Sequence, residues 1–146
     1  MSGFNTDLLT GLAELLAAGG LGATWNPSGG FPPLALAVVL ATVPEAPERV
    51  ITLTAYSVSD DPSLSNSVVG VQVRCRWGGK DPRPVDDLQD AIYNLLHGKT
   101  NFMLGTVPVV ECLRHSAIGL GQDGNLRWYN SANYYLTVHR PSTHRS

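Results

Sequence analysis

The chain has 146 residues, of which 43% are hydrophobic and only 15% charged, and its ten basic and twelve acidic side chains give a net charge of -2. This balance excludes a strongly basic nucleic-acid module, whose affinity rests on neutralising phosphates, and a polybasic membrane binder. The charged share lies well below the roughly 25% of an ordinary soluble domain, so part of the surface is expected to be covered by other chains.

The length predicts one domain with a core large enough to need neither metal nor disulfide. No apolar run approaches the roughly 18–20 residues that span a bilayer. The opening MSGFNTDLL has no positive n-region of a signal peptide. Cys75 and Cys112 fit no disulfide framework or metal spacing, which makes a reducing compartment the default.

Taken in chain order, residues 5–18 predict a helix. Asn5 or Thr6 would cap it, Leu8, Leu9, Leu12, Leu15 and Leu16 form one apolar stripe, and Gly19-Gly20 stops it. Residues 21–33 hold a short strand at most and then a Gly/Pro loop. LALAVVLAT (34–42) is apolar throughout and fits either a doubly buried strand or a helical turn. RVITLTAY (49–56) alternates as a strand, and 57–66 reads as a polar loop.

SVVGVQVRCRW (67–77) is the clearest strand. Val69, Val71, Val73, Cys75 and Trp77 share one face, and Gln72, Arg74 and Arg76 the other. After a turn at 78–83, residues 84–97 predict a helix with Pro84 first, Asp86, Asp87 and Asp90 near the positive end of the dipole, and Gly98 at its close. Residues 99–106 read as a loop. Residues 107–118 and 125–140 read as two strands joined by a hairpin containing Asp-Gly. The resulting order, α–β–β–β–α–β–β, predicts an α+β fold with a mixed or antiparallel sheet of 4–5 strands and two helices on one face.

Few motifs favour chemistry. Gly-Leu-Gly-Gln-Asp-Gly (119–124) matches GxGxxG, but a phosphate cradle needs a helix after it, and strand-like residues follow. His97, His115, His139 and His144 are scattered, without the convergent ligands of a zinc site. Cys75, Cys112 and His115 could meet across strands, although two ordinary buried thiols are the simpler reading. Asn26-Pro27-Ser28-Gly29 lacks the first glycine of a nucleophile elbow. Helix-dipole stabilisation accounts for the three aspartates. Arg74 and Arg76 are the most informative charged pair: they either solvate the outer face or bridge to acidic groups of a neighbouring chain.

The leucine-rich first helix, RVITLTAY, the segment VVGVQVRCRWGGKDPRPVDDLQDAIYNLLHG and the late LRHSAIGLGQDGNLRWYNSANYYLTVHRP together resemble the small tail terminator (minor capsid) proteins of long-tailed bacteriophages. The resemblance runs from about residue 5 to 141 and is thinnest over 19–48. It implies a mixed α/β fold similar to the lambda-type tail terminator and a structural role without catalytic residues or cofactors. Such proteins form a ring, usually a hexamer, on the head-proximal end of the tail tube. The ring stops tube growth and offers the docking surface for the head connector, while DNA passes through without sequence-specific binding. The implied partners are further copies of the chain, the tail tube protein and the connector or stopper protein; the implied location is the virion neck, after assembly in the host bacterial cytoplasm.

Elementary geometry agrees with such a ring. A chain of this size has a radius of gyration of roughly 15 Å and a diameter of roughly 38 Å, and six such spheres enclose a hole about one diameter wide. That admits a duplex of roughly 20 Å, which three or four subunits do not; geometry leaves five open, so the six comes from the resemblance. A conduit must let DNA slide, so the bore is expected to be polar or mildly acidic. Subunit-interface candidates are Arg74, Arg76, Gln72, Asp60, Asp61, Trp77, Arg140 and His139. The tail 141–146, and with it loop 57–66, is expected to rest on a neighbouring subunit or on the tube. The alternatives are a head-closure adaptor ring and a small nucleotide-binding enzyme.

Overall fold

The computed structural model describes residues 3–61 and 64–145. Helix α1 spans Phe4–Ala18, followed by strands β1 (Ala23–Trp25), β2 (Leu36–Leu40), β3 (Arg49–Asp60) and β4 (Asn66–Gly78). Helix α2 (Arg83–Leu96) and strands β5 (Lys99–Leu104), β6 (Val107–Gln122) and β7 (Arg127–His139) complete the chain. The strands form one sheet in the order β1-β2-β3-β4-β7-β6-β5. The pairs β1–β2 and β2–β3 are parallel, and all others are antiparallel.

The class is therefore α+β with a mixed sheet, but with seven strands rather than four or five. The extra strands come from segments whose pattern is too weak to read. β1 is too short to show alternation. β5 lies at a margin, and its first residues, Lys99, Thr100 and Asn101, are exposed, so no period-2 apolar signal marks it. The ambiguous run 34–42 contains β2. The supposed loop 57–66 is shorter than expected, because β3 continues to Asp60 and β4 begins at Asn66.

The core lies between the sheet and the two helices. Leu8, Leu12, Leu16, Ile51, Leu53, Val71, Val73, Ile92, Leu96, Tyr134 and Leu136 are essentially sealed from solvent. Each such apolar side chain contributes about 1.5–3 kcal/mol by leaving water. α1 packs against β1, β2 and β3 near one margin of the sheet and against β5 and β6 at the other. The sheet must therefore curl around α1.

No side chain caps α1. The helix starts at Phe4 behind Gly3, earlier than an Asn5 or Thr6 cap would allow, and the Asp7 N–H donates to Gly3 O. Asp7 is used elsewhere: its carboxylate accepts from the backbone N–H and the hydroxyl of Thr106 in the β5–β6 turn. These bonds, the hydroxyl first, hold the Asp7 carboxyl below its usual range. α2 takes Pro82 as N-cap with Pro84 just inside, where the missing N–H costs nothing.

The face of the sheet away from the helices is partly covered too. The connection from β2 to β3 crosses it, and Arg76, only 2% exposed, holds that connection down. Its Nε donates to Glu48 O at 2.9 Å, and its Nη2 donates to Pro47 O at 2.6 Å and Glu45 O at 3.3 Å. Ala37, Val50 and Thr52 are buried as a result.

Candidate functional site

Side chains alternate along β4, so Gly70, Gln72, Arg74 and Arg76 project to the face opposite Val69, Val71, Val73 and Cys75. Gln72 sits in register between Thr54 of β3 and Asn133 of β7. Around it runs a polar and aromatic surface. The Tyr56 hydroxyl donates to Asn133 Oδ1 at 3.0 Å, and Asn133 Nδ2 donates to Ser116 Oγ at 3.1 Å. The Tyr56 ring lies across Gly70, where a Cβ would strike it. His115 stacks on Tyr135 with ring centroids 4.3 Å apart.

Arg74 is half-buried, its guanidinium 4.9 Å from the Tyr129 ring centre, and its Nε has no acceptor. Arg76 does not share that position. The reading of both arginines as outer-face residues is corrected: Arg76 is buried and committed to its own 45–48 backbone.

The other candidates fall at opposite ends of the sheet. Asp60, Asp61, His139 and Arg140 gather around the β3–β4 tip. Asp60 accepts from Ser67 Oγ at 2.6 Å, and His139 Nδ1 lies 3.0 Å from Ser65 Oγ. The Arg140 guanidinium lies 4.1 Å from the Phe4 ring centre, and Asp61 is exposed. Trp77 is half-buried at the far end under the Arg49 guanidinium, 4.4 Å from its ring centre.

The tail meets its own chain at the tip. Arg145 donates to Leu64 O, Asn66 O and Ser67 Oγ and pairs with Asp60 at 3.6 Å. Residues 141–145 and the β3–β4 turn are thus fastened to each other within one subunit.

The chemical motifs dissolve into architecture. Cys75 faces Asn130 and Cys112 faces Leu136, far apart along β7, while His115 is exposed. Burial pushes the Cys112 thiol up to about 12 and Cys75 further, so neither supplies a thiolate. Among the described residues no His, Cys, Asp or Glu group is arranged to hold a metal ion. The 119–124 glycines end β6 and enter a turn, and strand β7, not a helix, follows.

That turn is a type of hairpin loop that normally wants glycine at its last position. The Leu126 N–H donates to Asp123 O, and Leu126 itself holds φ 59°. Desolvation raises the Asp123 carboxyl, but the backbone N–H groups of Arg127 and Asn125, the Tyr129 hydroxyl and the Arg127 guanidinium outweigh it and hold the pKa at about 2.

Two features escape a reading of the sequence. The first is a cleft of about 340 Å³ between α2 and the β6–β7 pair, bordered by Asp86, Gln89, Asp90, Arg114, Gly119 and Asn130. Gln89 Nε2 donates to Val73 O and Asn130 Oδ1, and Asn130 Nδ2 donates to Val85 O. Gln89 Oε1, buried, has no donor. The signal was present, since Gln89 lies within the Val85–Leu88–Ile92 stripe and Asn130 within the apolar alternation of β7. The second is an open edge. β5 pairs with β6 only as far as Cys112, the Arg114 N–H donates to His97 Nδ1 at 3.0 Å, and among the described residues no strand flanks β6 from His115 to Gln122. Residues 115–122 are all exposed, Ile118 and Leu120 among them.

The family described as bacteriophage tail terminator protein matches residues 15–140. A chain from the solved virion of a native gene transfer agent particle has the same fold, with a TM-score of 0.70 at 14% identity over 95% of this chain and 99% of that one. No curated protein matches the sequence.

Proposed function

Because the chain belongs to the bacteriophage tail terminator family, we propose that it is a structural virion protein that closes the head-proximal end of the tail tube as a ring of identical subunits, six by the resemblance. The family match over residues 15–140 carries this reading. The fold shared with a virion chain and the low charge content support it. The ring ends tube growth and presents its far side to the head connector, with DNA passing through a polar or mildly acidic bore. It works as a single domain, without catalysis or cofactor, and assembles in the host cytoplasm. Tube protein, connector and further copies of the chain are its partners. On the subunit surface, Arg74, Gln72, Trp77 and the tip residues Asp60, Asp61, His139 and Arg140 remain the contact candidates.

Removing the gene from the phage that encodes it tests the reading. Tails of uncontrolled length that fail to join heads are expected in electron micrographs, and supplying the chain in trans restores both properties. Tails of normal length beside heads that leak DNA would assign the chain to head closure instead.

A further inference from the structure

An exposed strand edge is a ready template for another chain, and soluble proteins guard such edges with charge, proline or brevity. β5 is guarded: Lys99 opens it, and Asn101 breaks it with φ 53°. The open edge of β6 is not. His115-Ser-Ala-Ile-Gly-Leu-Gly-Gln122 contains no Asp, Glu, Lys, Arg or Pro, and it exposes Ile118 (63%) and Leu120 (46%). Register irregularities at Arg114/Ser116 and Gly119/Gly121 bend this edge but leave its outer hydrogen-bonding groups unpaired by the sheet.

The opposite margin has the same character. Among the described residues β1 has no outer neighbour in the sheet, and residues 15–44, which include it, carry no Asp, Glu, Lys or Arg. The two margins are therefore different segments of one sheet, both open and neither carrying a charged residue of its own, although Asp86, Asp90 and Arg114 flank the β6 edge. A head-to-tail contact between identical subunits requires two such unlike patches. An edge-to-edge contact of β6 with itself would instead be two-fold and would not propagate around a ring.

We infer that the open β6 edge of one subunit pairs with the β1 margin of the next, continuing the sheet from copy to copy. The inference rests on the ring reading and specifies its joint. Main-chain hydrogen bonds would supply the contact, as in other strand-addition interfaces.

A photo-crosslinking amino acid placed at Leu120 of the full chain, in cells that assemble complete particles, tests the joint. The expected product in purified particles is a link from position 120 of one copy to residues 21–26 of another. Ile118→Lys should cut its yield at least tenfold, whereas Met103→Lys on guarded β5 should not; a thermal melt of each variant verifies folding. A 120-to-120 link, a link to another virion protein, or no link in particles that contain the chain overturns the joint. Counting copies at the tail end by electron microscopy separates that result from failure of the ring: a cyclic set without the 120-to-21–26 link sinks only the joint, whereas isolated copies sink both.

Discussion

Arg76 is the side chain whose loss should be felt most widely. It is a buried cation with its Nε and Nη2 bonded to three carbonyls of one short connection. Those carbonyls would lose their donor in Arg76→Ala, and the cover over Val50 and Thr52 would loosen. We expect a loss of about 2–4 kcal/mol in urea unfolding. Arg76→Lys should recover only part of it, because an ammonium point charge does not reproduce the planar fork. Leu126 offers the opposite sign. A leucine at φ 59° is strained where glycine is not, and its side chain is 53% exposed, so little packing is forfeited. Leu126→Gly should raise stability by up to about 1 kcal/mol, read as a higher urea midpoint at an unchanged slope.

At the scale of elements, two junctions set the architecture. The β6–β7 hairpin is tied by Asp123, whose folded pKa of about 2 lies below the unfolded value of roughly 3.9. A depressed carboxyl contributes stability that is complete above the unfolded pKa and is lost as pH falls through the folded one. Thermal melts between about pH 5 and pH 2 should therefore fall more steeply for the natural chain than for Asp123→Asn. The other junction joins α1 to the β5–β6 turn. Gly11 faces the backbone of Leu104 and Gly105 so closely that a Cβ would collide with main-chain atoms rather than with a movable side chain. Gly11→Ala should cost at least 1–3 kcal/mol, about the cost of overpacking a core. Circular dichroism melts of the variant check this, and a melting temperature equal to that of the natural chain would contradict the close packing.

At the scale of the molecule, charge is distributed unevenly. Residues 15–44 and 115–122 are free of Asp, Glu, Lys and Arg, while the acidic groups of α2 and the arginines of β4 lie elsewhere. A contact made through main-chain groups of segments that carry no charge is hardly screened by ions, unlike one built on ion pairs. The assembled subunits should therefore hold together with little change between about 0.05 M and 0.5 M salt, as read by sedimentation of detached neck complexes. Release by salt would point to Arg74, Asp60 or Arg140 as the working contacts.

The sequence alone determined both helices, the long central strands and their buried faces. Those elements carry strong periodicities, such as the leucine stripe of α1 and the valine alternation of β4, and one period fits only one element type. The late hairpin was equally legible from Asp123-Gly124. The family resemblance also lay in the residues, since it rests on order and spacing. Tertiary structure decided the rest. β1 and β5 exist because neighbouring strands accept them, not because three or six residues specify a strand by themselves. Arg74 and Arg76 alternate identically in sequence, yet a crossing connection buries Arg76 and leaves Arg74 half-buried against Tyr129. The open edge of β6 could not be read either: its length depends on where β5 stops pairing, and that is a property of two segments meeting in space.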